Sequence, residues 1–447
     1  MPPMVWDDDL PEDHGITSAE ATMSLMTAII GAGIMVLPQL PKVGGTVVSA
    51  TLMVVSTAAT IEAGSALFRA TMANNIALQH GVKATQTYIH SWEDFGYAAY
   101  GRPGAALIQV LTIGWFIGLN SGYVILIAQS LQSLLKPFFF LSFTVWIFIV
   151  GPCLWFVSMM RDVSAIAKVV PLGVGAAVAS CILITAKACM DTPVWEDWTS
   201  EEKAQLHNVW PMGGALSLGS LLATIFGAVG CLPNVPSILD EMKNKHAFKR
   251  SFRTALTSVM VLYLGIMMMG YHAYGNFIQP SIVVSMRDHP ATFAESQFEP
   301  SEWTGATTNI LPTAMSCFVL VNLVISYPLN LAPVFISIQG TTYGKEYMKV
   351  GSKKNYLMRT AIVLVTVAIP LVVSDFALVY SLFASISGPV QGVLIPIVFG
   401  YKIRKKVGAA NSGILRLAWH GALGALAVFC VVFGLIDSSR AIVESFR

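Results

Sequence analysis

The chain has 447 residues, of which 55% are hydrophobic and only 12% charged, with a formal net charge of +2. A soluble globular chain carries roughly 25% charged residues, so this much apolar surface has to face lipid. The near-neutral balance excludes nucleic acid as a partner, and the bilayer itself is the first partner expected.

The chain opens on an acidic stretch, Asp7-Asp8-Asp9 then Glu12-Asp13. A cleavable signal begins with basic residues, so 1–17 reads as a disordered cytosolic tail and the first apolar segment as a retained span. Windows of about 20 apolar residues, the length that crosses the hydrocarbon, occur about eleven times. They cover 18–40, 43–72, 104–136, 141–160, 164–188, 213–239, 252–274, 307–338, 356–374, 376–400 and 414–437. Continuous apolar runs lack the alternation of a barrel, and only helices or closed barrels span lipid. The expectation is an all-α membrane protein.

The first segment carries Ile30-Gly31-Ala32-Gly33-Ile34, then Pro38 and Pro41. Glycine costs about 1 kcal/mol and proline about 3 in a helix interior, which disfavours a continuous helix here. The sixth segment repeats the theme with Phe226-Gly227-Ala228-Val229-Gly230, then Pro233 and Pro236. Interrupted helices in corresponding places of two halves point to a transporter built from inverted repeats. The halves are expected at 18–188 and 213–400, joined by an outside loop at 189–212, with 401–447 holding a final helix. At such a break, amides of the second half-helix receive a carboxylate, and carbonyls of the first receive an ammonium group. The bland reading is close helix packing by small residues; two matched breaks favour a substrate site.

Polar residues inside the spans are the remaining candidates. Glu62 in the second segment is a candidate proton carrier, or else pairs with a basic group near the cytosolic end. Lys168, opening the fifth, offers a fixed or titrating cation, or snorkels to the interface. Tyr123 in the third segment either covers the site or packs. Asn322 and Ser326 in the eighth offer oxygens to a cation, or bond between helices. Asp240 and Glu241, beside Lys243 and Lys245, suggest an inner salt-bridge network. The six cysteines show no metal-ligand spacing and read as inert thiols.

Orientation follows the basic loops. With the N-terminus in the cytosol, inside loops collect Lys243, Lys245, Lys249, Arg250 and Arg253, then Lys353, Lys354 and Arg359, then Lys402, Arg404, Lys405 and Lys406. The outside loops are acidic instead, with Asp191, Glu196, Asp197, Glu201 and Glu202 in one and Glu295, Glu299 and Glu302 in another.

These residues resemble the amino acid/auxin permease family over most of the chain. Thr27-Ala28-Ile29-Ile30-Gly31-Ala32-Gly33-Ile34 with Leu37-Pro38 is similar to its broken first helix. Glu241-Met242-Lys243-Asn244, Gly270-Tyr271-His272-Ala273-Tyr274-Gly275, Ser326-Tyr327-Pro328-Leu329, Arg161-Asp162-Val163 and Trp92-Glu93-Asp94-Phe95-Gly96-Tyr97 resemble later motifs in the same order. The resemblance implies a LeuT-like fold of five plus five helices with one added. It also implies secondary active transport of amino acids driven by protons or, in some members, sodium. By position, Gly31, Ala32, Gly33 and Ile34 hold the substrate carboxylate and carbonyls around Phe226, Gly227 and Ala228 complete the ammonium cage. Sodium-coupled members place an asparagine where this chain has Thr27 and a hydroxyl near Val321, which favours protons, while Asn322 keeps sodium open.

The expectation is therefore a monomeric amino-acid transporter with no cofactor or metal, working by proton-coupled symport in a plasma or vacuolar/lysosomal membrane. An uncoupled or sodium-coupled carrier and an amino-acid sensor are the alternatives. An enzyme is not expected, because no paired intramembrane aspartates, clustered histidines or nucleophile elbow occur.

Overall fold

The computed structural model describes residues 15–446 apart from 32, 83–86, 136–137, 140, 160–169, 196–197, 299–302, 304–309, 341–351 and 410–412. Ala32, Lys168, the turn Arg161-Asp162-Val163 and most of the acidic tail lie outside the described residues. Among those described, nine helices are long and apolar enough to cross a membrane. Phe143–Ser158 is apolar but only 16 residues long, and the first segment is split, so the expected count of eleven rests on including these two.

The first segment consists of α1 (Ser18–Ile29) and α2 (Gly33–Val36), followed by α3 (Leu40–Gln79). Thr17 and Glu20 start α1 with reciprocal capping bonds, which satisfy two amides that a helix start leaves bare. The turn between first and second segments is a kink inside α3 at Gly45, where φ is +67°. A Cβ there would stand 2.5 Å from the Trp210 carbonyl carbon, so only glycine fits. The outer loop pairs with this kink through Thr46 N–H to Asn208 O at 2.9 Å and Met212 N–H to Val43 O at 3.1 Å.

The second segment runs seven residues past the expected 72, to Gln79. The polar pair that ends the apolar run is buried rather than solvated. Asn74 donates to Thr87 O at 2.9 Å and Asn75 accepts from Ile89 N–H at 2.9 Å, so the helix continues beyond the lipid on its own polar contacts.

Next come α4 (Trp92–Tyr100), α5 (Arg102–Leu135), α6 (Phe143–Ser158) and α7 (Val170–Asp191). The second break separates α8 (Ala215–Ala228) from α9 (Val235–Glu241), and α10 (Phe248–Tyr274) follows. The remaining helices are α11 (Ile310–Gly340), α12 (Lys353–Val372), α13 (Phe376–Pro389), α14 (Ile395–Lys406) and α15 (Ile414–Glu444). A π-helical turn at Val390–Leu394 joins α13 to α14. All six cysteines are free; Cys181, Cys231 and Cys430 are buried, whereas Cys153, Cys189 and Cys317 face outward.

The two ends of the bundle are closed differently. On the side carrying the N-terminus, Ile16 pairs with the end of α9, its N–H on Glu241 O at 2.9 Å and its carbonyl accepting from Lys243 at 3.1 Å. Asp240 meets His90 at 2.7 Å and Lys245 at 3.9 Å, so the network expected around Asp240 forms, with His90 as its closest member. On the far side, Asp191 is held by Lys187 and by the Tyr274 hydroxyl at 2.7 Å, all three fully buried. Next to this group Trp195, Trp198, Phe277 and Phe293 pack edge-on against one another, and Trp195 Nε1 donates to Ala273 O beside Tyr274.

Gly275 ends α10 at φ +52°, and a Cβ there would collide with the Leu206 carbonyl oxygen. Gly275→Ala is expected to cost about 1–3 kcal/mol and lower the melting temperature of the purified protein. Gly114→Ala, where a Cβ meets open space, serves as the neutral control.

Candidate functional site

Each break is built on a tight turn of the same kind. In a continuous helix the Ile34 amide would bond Ile30 O and the Gly230 amide would bond Phe226 O. Instead Ile34 N–H bonds Gly31 O at 3.2 Å and Gly230 N–H bonds Gly227 O at 3.2 Å. Both turns release the carbonyl one residue earlier from helical pairing. α1 ends with the Ile29 carbonyl accepting from Tyr263 Oη at 2.8 Å, a buried tyrosine on α10. The same hydroxyl also takes the Gly31 amide as a donor, so Tyr263 ties down the α1 end and one amide of the gap together.

The two breaks face one cavity of about 380 Å³. Of the residues expected at the site, Thr27, Gly31, Gly33, Tyr123, Gly227, Ala228, Asn322 and Ser326 line it. Ile34 and Phe226 do not: Ile34 packs into the main core and Phe226 into a separate cluster with Ala59, Leu222 and Leu423. Those two residues can reach a ligand only through their main chains. Glu62 also lies away from the cavity, its Oε1 accepting from Arg69 at 2.8 Å and His420 at 3.2 Å. Its surroundings match the pairing alternative.

The close approach of the breaks depends on small residues. A Cβ on Gly33 would lie 2.9 Å from Tyr380 Oη and 3.2 Å from Ala228 Cα. A Cβ on Gly227 would lie 2.8 Å from Ala384 Cβ and 3.2 Å from the Trp115 ring. Gly388 on α13 brings its backbone against the Gly227 amide in the same way, a Cβ there standing 2.9 Å from it. The main chains of α2, α8 and α13 therefore meet at contact distance around the gap.

Three residues unassigned by sequence reasoning complete the wall. Tyr380 on α13 points its hydroxyl between the two breaks and packs edge-on against Trp115 at 5.8 Å. Asn330 on α11 donates to Tyr123 Oη at 3.1 Å. The signal for Asn330 was present: Asn322, Ser326 and Asn330 recur every four residues and share one face of a helix. Tyr380 is the one tyrosine in its apolar segment, and such a ring seeks a partner for its polar tip.

No charged side chain lines the cavity among the described residues. Its polarity comes from helix ends, three asparagines, Thr27, Ser326 and the tyrosine hydroxyls. From the breaks it extends along Met26 and Met23 of α1, Asn234, and Pro333 of α11. That direction leads to the face carrying the N-terminus. Towards the other face Ile34, Met35, Val36 and Leu37 are all buried, and the path is packed shut.

The family model described as transmembrane amino acid transporter protein matches residues 14–443. Vacuolar amino acid transporter 3 of Schizosaccharomyces pombe is 24% identical, over 90% of this chain and 55% of that protein. Amino acid transporter AVT1E of Arabidopsis thaliana is 22% identical, over 71% of this chain and 56% of its own. The chain thus spans little more than half the length of these two relatives. AVT3B, also of Arabidopsis thaliana, is 23% identical over 88% of both chains. Among solved structures, inward-facing Mhp1 matches with a TM-score of 0.59 at 12% identity, over 99% of this chain and 94% of that one. A closed Mhp1, described as a nucleobase-cation-symport-1 family transporter, matches with a TM-score of 0.51 at 13% identity, over 99% and 96%. The fold is LeuT-like.

Gly33→Val is expected to lower transport by at least about tenfold while leaving membrane insertion normal, because the added methyls fill the gap between the breaks. Gly175→Val on α7, where a Cβ meets open space, should leave transport unchanged. Radiolabelled uptake normalised to inserted protein reads both.

Proposed function

The chain belongs to the transmembrane amino acid transporter family, and on that premise we propose that it carries neutral amino acids by proton-coupled symport with alternating access. The observation that carries this reading is the pair of helix breaks facing one uncharged cavity. A zwitterion needs one positive and one negative pole and no net charge. Helix ends supply both: the amide end of α2 at Gly33 for the carboxylate and carbonyls released near 226–228 for the ammonium group.

The cavity volume of about 380 Å³ sits near the small end of ligand pockets, roughly 300–1,000 Å³, which suits a single free amino acid. Trp115, Phe116, Tyr123 and Tyr380 offer apolar surface to its side chain. A charged side chain would be desolvated there without a counter-ion, so neutral substrates are favoured.

Protons are favoured over sodium because no carboxylate lines the cavity among the described residues to balance a bound metal cation. Thr27 Oγ1 donates to Met23 O at 2.9 Å, and Ser326 donates to Asn322 Oδ1 at 3.3 Å. The basic loops favour a cytosolic N-terminus, which puts the cavity on the cytosolic side of the breaks in this reading. A relative described as vacuolar supports a vacuolar membrane, and the chain is proposed to act as a monomer.

Purified protein in proteoliposomes, assayed against a panel of amino acids with and without a pH gradient, tests the proposal. Uptake of neutral amino acids, stimulated by the gradient and indifferent to sodium, is expected, with lysine, arginine, aspartate and glutamate transported poorly. Sodium-dependent uptake, or uptake blind to pH, would contradict the coupling; no amino-acid transport under any gradient would overturn the function.

A further inference from the structure

Away from the cavity, at the membrane face carrying the N-terminus, α3, α14 and α15 bring together an excess of positive charge. Glu62 is the carboxylate of this cluster, and it is already shared between Arg69 at 2.8 Å and His420 at 3.2 Å. Arg404 on α14 is only 5% exposed, yet its one hydrogen bond is from Nε to Gly400 O at 3.4 Å. Among the described residues it has no carboxylate partner of its own, and it stands within electrostatic range of Arg69, Arg416 and Glu62. Arg69 Nε is likewise buried with no partner among them. Among the described residues, three guanidinium groups against one carboxylate leave two positive charges uncompensated.

A buried guanidinium without a counter-ion is costly, and guanidinium forks match the oxygens of a phosphate. The depth is that of the headgroups. His420 lies six residues into α15 after Ile414, about 9 Å of helical rise, and Arg404 lies in the last turn of α14. Leu415, Trp419 and Tyr401 around the cluster are exposed, as apolar and aromatic side chains at a lipid interface are. Lys402 and Lys405 on α14 add positive charge on the outer surface.

We propose that Arg404, Arg69 and Arg416 bind the phosphate of an anionic phospholipid headgroup, which clamps α15 to α3 and α14. The lipid would supply the counter-ion that the described residues do not. Glu62 then acts as the strut that orients Arg69 rather than as a ligand.

Full-length protein in neutral detergent, titrated with dioctanoyl phosphatidylinositol phosphate while its melting temperature is followed, tests this. A saturable rise is expected, with its midpoint moved at least about tenfold higher in Arg404→Gln and in Arg416→Gln. Arg416 is exposed, so its variant keeps the fold even if Arg404→Gln does not. Arg404→Lys should recover part of the response, and Lys203→Gln on the opposite face should match wild type. Dioctanoyl phosphatidylcholine and inorganic phosphate at the same concentration should give no shift. An equal response in Arg416→Gln and wild type would overturn the site, and an equal response to inorganic phosphate would overturn the headgroup as its source.

Discussion

Inside a bilayer an unpaired backbone group has no water to turn to, and leaving it bare costs several kcal/mol. A helix that stops midway through lipid therefore has to end on something. Here two helices stop facing one cavity, and both stop on a four-residue turn that spends one amide and releases one carbonyl. Everything else near the midplane serves that arrangement. Tyr263 Oη ties down the end of α1, and glycines at 33, 227 and 388 let three main chains reach contact. The result is a polar pocket made of backbone inside an apolar protein.

The same economy explains why the two faces of the molecule differ. Towards one face the chain is locked by buried, paired groups, Lys187, Asp191 and Tyr274, with edge-on packed aromatics next to them. Towards the other face the closing contacts are partly exposed: Ile16 against α9, and Asp240 with His90 and Lys245. Exposed ion pairs are worth little, typically 0–1 kcal/mol, so this is the looser end. The cavity runs towards it. Alternating access requires one end to open while the other holds, and in this conformation the well-packed end is the one opposite the N-terminus.

Much of this was legible in the sequence because the strongest signals are violations of helix chemistry. Gly31, Gly33, Gly227 and Gly230 with their trailing prolines are unfavourable in a spanning helix, and they mark both breaks. The small lining residues followed from them. What stayed hidden depended on partners far along the chain. Glu62 and Arg69 are seven residues apart on one helix face, a readable pair, but His420 reaches them from 358 residues away. Tyr380 is assigned only once α13 is known to lie against both breaks. Helix ends were missed where polar residues found buried partners, as Asn74 and Asn75 did at the end of α3. Side-chain identity at the breaks says little either way, since Ile34 and Phe226 point elsewhere. A pocket made of main chain records its function in where the helix fails more than in which side chains surround it.

The central claim is that a substrate's two charged ends are held by the backbone at the two breaks. Cryo-electron microscopy of the protein in nanodiscs with a saturating transported amino acid tests it most directly. The account predicts density between the breaks, with the carboxylate at the amide end of α2 by Gly33 and the ammonium group against carbonyls at 226–228. A substrate bound with either end on an ionised side chain, or seated away from both breaks, would contradict it.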